Sequence, residues 1–181
     1  MKVHVIEQAG IKSAMRGLKT SHKKYECSFE YMLELAEKLA SKDKGHNKFQ
    51  RQIQVWVEIQ APLYWWKHMD TYTVGCVKQS ESTMHTIMKR ELTQDDFELP
   101  IYEATLRELN LDISMGHFEL VINNLPDGFL QRRVVNLNYA TIRNIILQRK
   151  KHKIVEWKLF IEQMLLQIEY PNLLGIGKVV R

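Results

Sequence analysis

Two histidines, His68 and His85, bracket a serine-rich stretch that holds Ser80 and Ser82. Imidazoles titrate near neutral pH, so either ring could act as an acid or a base, or could simply pack. Further along, Asn138 and Arg149 stand eleven residues apart in NYATIRNIILQR. That is close to three helical turns, so a helix there sends both side chains from one face. His46 follows Gly45, where its imidazole can hydrogen-bond the turn, and Ser80, Glu81 and Ser82 can cap a following helix. The densest charge is the run Arg149, Lys150, Lys151, His152 and Lys153, preceded by Arg132, Arg133 and Arg143. Such cations could neutralise DNA or RNA phosphates, or form a solvated helix junction. Lys12, Arg16, Lys19, Lys23 and Lys24 make a second basic run. Neither run is accompanied by a helix-turn-helix, RRM or zinc signature, and no GxGxxG or P-loop supplies a phosphate cradle.

Other chemistries are set aside by composition. Cys27 and Cys76 lie 49 residues apart without CxxC spacing, which argues against a disulfide framework or a thiolate zinc site. The seven histidines contain no pair at ligand spacing with a carboxylate, so no metal is expected. No apolar run is long enough for a membrane span, and the N-terminal MKVHVIEQAGIK lacks a signal-peptide core. A cytoplasmic protein of one domain, residues 1–181, is the expectation. The net charge of +5 permits contact with phosphates without requiring it.

The elements that must hold these residues follow from periodicity. Residues 2–7 alternate as a short strand, and 10–24 carry Ile11, Met15 and Leu18 at helical spacing. Ser28 is the N-cap of FEYMLELAEKLASK, and Gly45 suits a left-handed turn after it. Ile53, Val55, Val57 and Ile59 alternate with Gln54, Trp56 and Glu58, which predicts a half-buried strand over 52–60. Pro62 opens a helix that is aromatic nearly all round, and 71–82 reads as an ordered loop. Thr83–Arg90 is a short helix, and Pro100 starts another. A long helical pattern runs from Phe129 to about Lys151, and Ile154–Ile168 is a last amphipathic helix.

Gly45-His46, fourteen residues, then Ala61-Pro62, an aromatic helix and a serine loop reproduce the order found in flavin-dependent thymidylate synthases, which this chain resembles. The spacing of Asn138 and Arg149 matches that family's pair, whose arginine helps hold the uracil nucleotide. The resemblance covers roughly half the chain and implies an α+β fold with a largely antiparallel sheet flanked by helices. It also implies a homo-oligomer, a dimer or a tetramer, with Trp56, Trp65 and Trp66 as interface anchors.

The departures are chemical. The family's Arg-His-Arg falls on Thr71, Tyr72 and Thr73, and its acidic-His pair on Arg51 and Gln52. Its Ser-x-Arg-Tyr falls on a loop holding Ser80, Glu81 and Ser82, followed by Thr83 and Met84. Neutral side chains do not replace charge-assisted arginine contacts. The resemblance thus implies a catalytically degenerate scaffold that binds FAD weakly at most, with Asn138 and His46 as residual cofactor contacts. Ser80, Ser82, His85 and Arg149 would be nucleotide contacts. The retained use would be binding nucleic acid, through Arg132, Arg133, Arg143, Arg149, Lys150, Lys151 and Lys153, or binding a host protein. The degenerate pattern looks like that of phage-encoded proteins, for which a host nuclease and an anti-CRISPR-like role would suit. The alternative is a nucleotide-modifying enzyme of altered specificity.

Overall fold

The computed structural model describes residues 1–177. Its strands are β1 (Lys2–Ala9), β2 (Gln54–Pro62), β3 (Cys76–Ser80) and β4 (Leu130–Asn138), joined in one antiparallel sheet of order β1-β2-β4-β3. The helices are α1 (Ile11–Ser21), α2 (Phe29–Ala40), α3 (Leu63–Met69), α4 (Thr83–Thr86), α5 (Glu103–Met115), α6 (Phe118–Asn124), α7 (Tyr139–Arg149) and α8 (Val155–Gln167).

The alternation of β2 sets the layers. Val55, Val57, Ile59 and Ala61 are buried, while Gln54, Trp56, Glu58 and Gln60 are half-exposed on the other face. Across the register, Val55 meets Leu137 and Val57 meets Val135, so β4 extends the same apolar face. Helices α1, α2, α3, α7 and α8 pack onto that face in one continuous core. A smaller cluster, built on Ile87, Leu92, Phe97, Leu109 and Val121, lies under α5 and α6.

Local chemistry places each element. Gly10 precedes α1 at φ +90, and a Cβ there would sit 2.1 Å from the Gln52 carbonyl oxygen, so only glycine allows the close approach. The Ser28 hydroxyl accepts from the Tyr31 amide at 3.2 Å, the cap expected of α2. Trp65 and Trp66 are fully buried, with Trp65 4.7 Å from Trp157 and 5.5 Å from Phe160 between ring centroids. They are core residues, which corrects their expected part as interface anchors; Trp56 alone of the three faces the open side of the sheet.

Two stretches differ from the expected elements. The 71–82 loop contains β3, an edge strand whose Cys76, Lys78 and Ser80 pair with Leu137, Val135 and Arg133. The expected long helix from Phe129 is a strand and then a helix, because Leu130–Asn138 lies between β2 and β3. Strand pairing on both sides there outweighs a pattern that Gln131 and Arg133 make irregular. Pro62 closes β2, and α3 begins one residue later.

Candidate functional site

The turn from Thr71 to Gly75 lies against the first turn of α7, and the contact is tightly specified. Asn138 is the N-cap of α7: its Oδ1 accepts from the Thr141 amide at 2.9 Å, and its own amide donates to the Gly75 carbonyl at 3.2 Å. Thr141 Oγ1 donates to the Val74 carbonyl at 2.8 Å. Gly75 has φ +64, and a Cβ added there would fall 2.1 Å from Asn138 Nδ2.

Between this turn, α7 and the 3-10 helix Lys48–Gln52 opens a cavity of about 400 Å³. Arg51 enters from the 3-10 helix, Thr71, Thr73 and Val74 from the turn, and Asn138, Thr141 and Asn144 from α7. The chemistry offered is hydroxyls, amides and one guanidinium. No carboxylate, imidazole, thiol or amine lines the cavity among the described residues.

Tyr72 is buried, and its ring turns into the core beside Trp157, at 6.1 Å between centroids. Its hydroxyl donates to Gln148 Oε1 at 2.9 Å and accepts from Arg149 Nε at 2.8 Å. The Arg149 guanidinium also lies 5.1 Å from the Trp157 ring. Asn138 and Arg149 thus mark the two ends of α7, and both meet the 71–75 turn. Beyond Arg149, the His68 and His152 rings lie 5.3 Å apart. Burial, then the neighbouring Arg149 and His68, holds His152 below the ordinary imidazole value.

A second cavity of about 700 Å³ lies between α1 and the Gly45 turn. His22, Lys44, His46 and Lys48 line it, and Arg51 borders both cavities. Ser80, Ser82 and His85 lie elsewhere. Ser80 pairs with Arg133, four residues along β3 from the Asn138 end, which is roughly 14 Å at strand rise. Ser82 Oγ and His85 Nδ1 are 2.8 Å apart on the surface, a contact within one short helical turn.

Most of the expected nucleic-acid contacts are engaged in other work. Arg132 pairs with Glu58 at 3.3 Å. Arg133 stacks 4.3 Å from the Trp66 ring and meets Asp70 at 2.9 Å. Arg143 reaches Asp43 at 3.7 Å and the Ser41 carbonyl at 3.4 Å. Lys150, Lys151 and Lys153 are exposed and free of such pairs among the described residues.

The sequence reading missed Asn144, Thr141 and the gain at Arg51. Thr141 stands three residues after Asn138 and Asn144 three after Thr141, so helical spacing makes each the neighbour of the one before and could have linked the three. Arg51 was read only as a lost carboxylate; the cation it brings stays hidden until the 3-10 helix is placed. Among the described residues no cluster of His, Cys, Asp or Glu is suited to a metal ion, and no helix is long and apolar enough to cross a membrane.

No family model and no curated protein matches the sequence. Solved structures do. A thymidylate synthase ThyX from Helicobacter pylori, crystallised with FAD and dUMP, superposes with a TM-score of 0.83 at 12% identity, covering 97% of this chain and 98% of that one. A UMP/dUMP methylase PolB from Streptomyces cacaoi, bound to 5-Br dUMP, superposes with a TM-score of 0.70 at 12% identity, covering 94% and 92%. The likeness runs the length of the chain, and on that basis the protein has the fold of the flavin-dependent thymidylate synthases.

Proposed function

We propose that this chain is a catalytically degenerate protein that binds a pyrimidine nucleotide without methylating it. The observation that carries this reading is the lining of the 400 Å³ cavity. Arg51 can take a phosphate, and the exposed Asn144 amide can meet the edge of a pyrimidine ring, since an amide both donates and accepts. Nothing in that lining is suited to move a proton near neutral pH. A modifying enzyme would need Ser82 and His85 beside Asn138, whereas they sit toward the other end of β3, so binding is preferred.

The residues suit a flavin dinucleotide poorly. Two phosphates would face one arginine in this cavity, where the 71–73 turn offers only hydroxyls, and Tyr72 turns its own inward to Arg149. FAD is accordingly a weak ligand.

The wider role fits a scaffold repurposed for binding. Lys150, Lys151 and Lys153 are available to DNA or RNA phosphates, and a host protein, in a phage anti-defence setting, is the other partner class. The half-exposed sheet face around Trp56 suits a homo-oligomer.

Calorimetric titration with dUMP and UMP tests the central claim. Binding that Arg51→Ala weakens by about ten-fold, with no tritium release from labelled dUMP when FAD and folate are supplied, is the expected result. Tritium release above background would sink the degenerate reading, and no heat with either nucleotide would sink the binding one.

A further inference from the structure

The basic run of α1 is untouched by the cavity at Asn138. Residues 10–25 carry Lys12, Arg16, Lys19, Lys23 and Lys24 and no carboxylate, so this segment alone holds as much excess charge as the chain's net +5. The fold decides what that charge can do. The apolar residues of α1, Ile11, Ala14, Met15 and Leu18, are buried in the core, which leaves Lys12, Arg16 and Lys19 in a row on the opposite side. Spacings of four and three residues stack them along about 10 Å of helix. Lys12 and Arg16 are exposed and have no ion-pair partner among the described residues.

The row borders a hollow of about 450 Å³ whose far wall is aromatic. Tyr25 stands there 62% exposed, and Phe29 is half-buried beside it. Lys23 next to them has φ +53, so the chain bends sharply and carries Tyr25 round to face the helix. Lys24 donates to the Tyr31 hydroxyl and lies 4.5 Å from that ring, which makes it a support of the wall. Glu30, at the start of α2, senses Lys19, and Glu169 borders the adjoining hollow beside Lys12, so carboxylates limit the row at its ends.

A line of unpaired cations facing an exposed ring across an open hollow is the pattern that holds an unpaired strand. Phosphates sit on the cations, and a base stacks on the ring. We infer that the outer face of α1, with Tyr25, is a docking surface for single-stranded nucleic acid. A duplex keeps its bases stacked inside and gains nothing from Tyr25. A membrane surface is disfavoured because the apolar side of α1 is committed to the core and has nothing to insert. Of the C-terminal basic residues, Arg132, Arg133, Arg143 and Arg149 are tied to carboxylates, carbonyls or rings, which leaves Lys150, Lys151 and Lys153 as the unpaired cations of that run among the described residues.

Fluorescence anisotropy with labelled oligo(U) and oligo(dT) tests this on the whole chain. Three phosphate contacts predict a log–log salt slope of about −2, at ~0.7 per phosphate on a single strand. The variant Lys12→Glu/Arg16→Glu/Lys19→Glu should abolish binding while its melting curve stays cooperative. Tyr25→Ala should weaken binding about ten-fold, and Tyr25→Phe should restore it. Lys150→Glu/Lys151→Glu/Lys153→Glu should leave it intact. The inference is overturned by absence of binding at low salt, or by a blunt duplex bound as tightly as the single strand. Tyr25→Ala binding like wild type, or loss only in the Lys150 triple variant, also overturns it.

Discussion

Gly75→Ala should disable the joint between the 71–75 turn and α7. Gly75 has φ +64, where a side chain costs about 1–2 kcal/mol through the clash of Cβ with the backbone. The new methyl would also lie 2.1 Å from Asn138 Nδ2 and 2.7 Å from Thr141 Oγ1, both inside any real contact distance. Asn138 must then move, and with it goes the hydrogen bond it accepts from the Thr141 amide at 2.9 Å. Losing an Asn cap costs about 0.5–2 kcal/mol, so the sum is about 1.5–4 kcal/mol, a large part of the ~5–15 kcal/mol that holds a domain together. Urea unfolding followed by tryptophan fluorescence measures it, since Trp65, Trp66 and Trp157 all lie in the core. The steric part is separated by repeating the change in an Asn138→Gly/Thr141→Ala background, where the clashes with Nδ2 and Oγ1 are both gone. There Gly75→Ala should cost only about 1–2 kcal/mol, the backbone share. Gly75→Ala within about 0.5 kcal/mol of wild type, or an equal loss in both backgrounds, would refute the packing argument.

Tyr64→Phe removes the hydroxyl that donates to Glu156 Oε1 at 2.5 Å and leaves a buried carboxylate without that donor. The expected loss is about 1–3 kcal/mol by the same unfolding assay. Burial, and then the bond to Glu156, pushes the Tyr64 hydroxyl well above the ordinary phenol value, so this ring should be missing from an alkaline tyrosinate titration. His152 supplies a pH dependence of known sign. Its value is lowered in the fold, so the unfolded chain takes up the proton more readily. Stability should fall as pH drops through about 6.5 and level off below the folded value, and His152→Gln should flatten that part of a melting-temperature profile. Burial raises the Cys76 thiol, with Lys78 partly offsetting it, so alkylation of Cys76 at neutral pH should be slow and should quicken on unfolding in urea.

The parts of the fold that were legible in the sequence are those where local pattern and tertiary environment agree. Val55, Val57 and Ile59 alternate because one face of β2 is buried and the other is not, and the Ser28 cap and apolar stripe of α2 repeat the same agreement. Gly45-His46 and Ala61-Pro62 carried the resemblance, because turn and strand-end chemistry is set locally: Gly45 takes φ +90, and Pro62 closes β2. What the sequence withheld lies where pairing overrides pattern. In β4 the core-facing positions include Gln131 and Arg133, polar residues made tolerable there by partners distant in sequence. The Gln131 amide donates to Thr83 Oγ1 at 3.0 Å, and Arg133 is held by Trp66 and Asp70. Without those partners the stretch reads as helix. The candidate site was withheld for a similar reason. Its residues come from 51, 71–74 and 138–144, and only the antiparallel pairing of β2, β4 and β3 brings these segments together. That same topology carries Ser80, Ser82 and His85 away along β3, because a strand that leaves Gly75 antiparallel to β4 must move steadily away from Asn138.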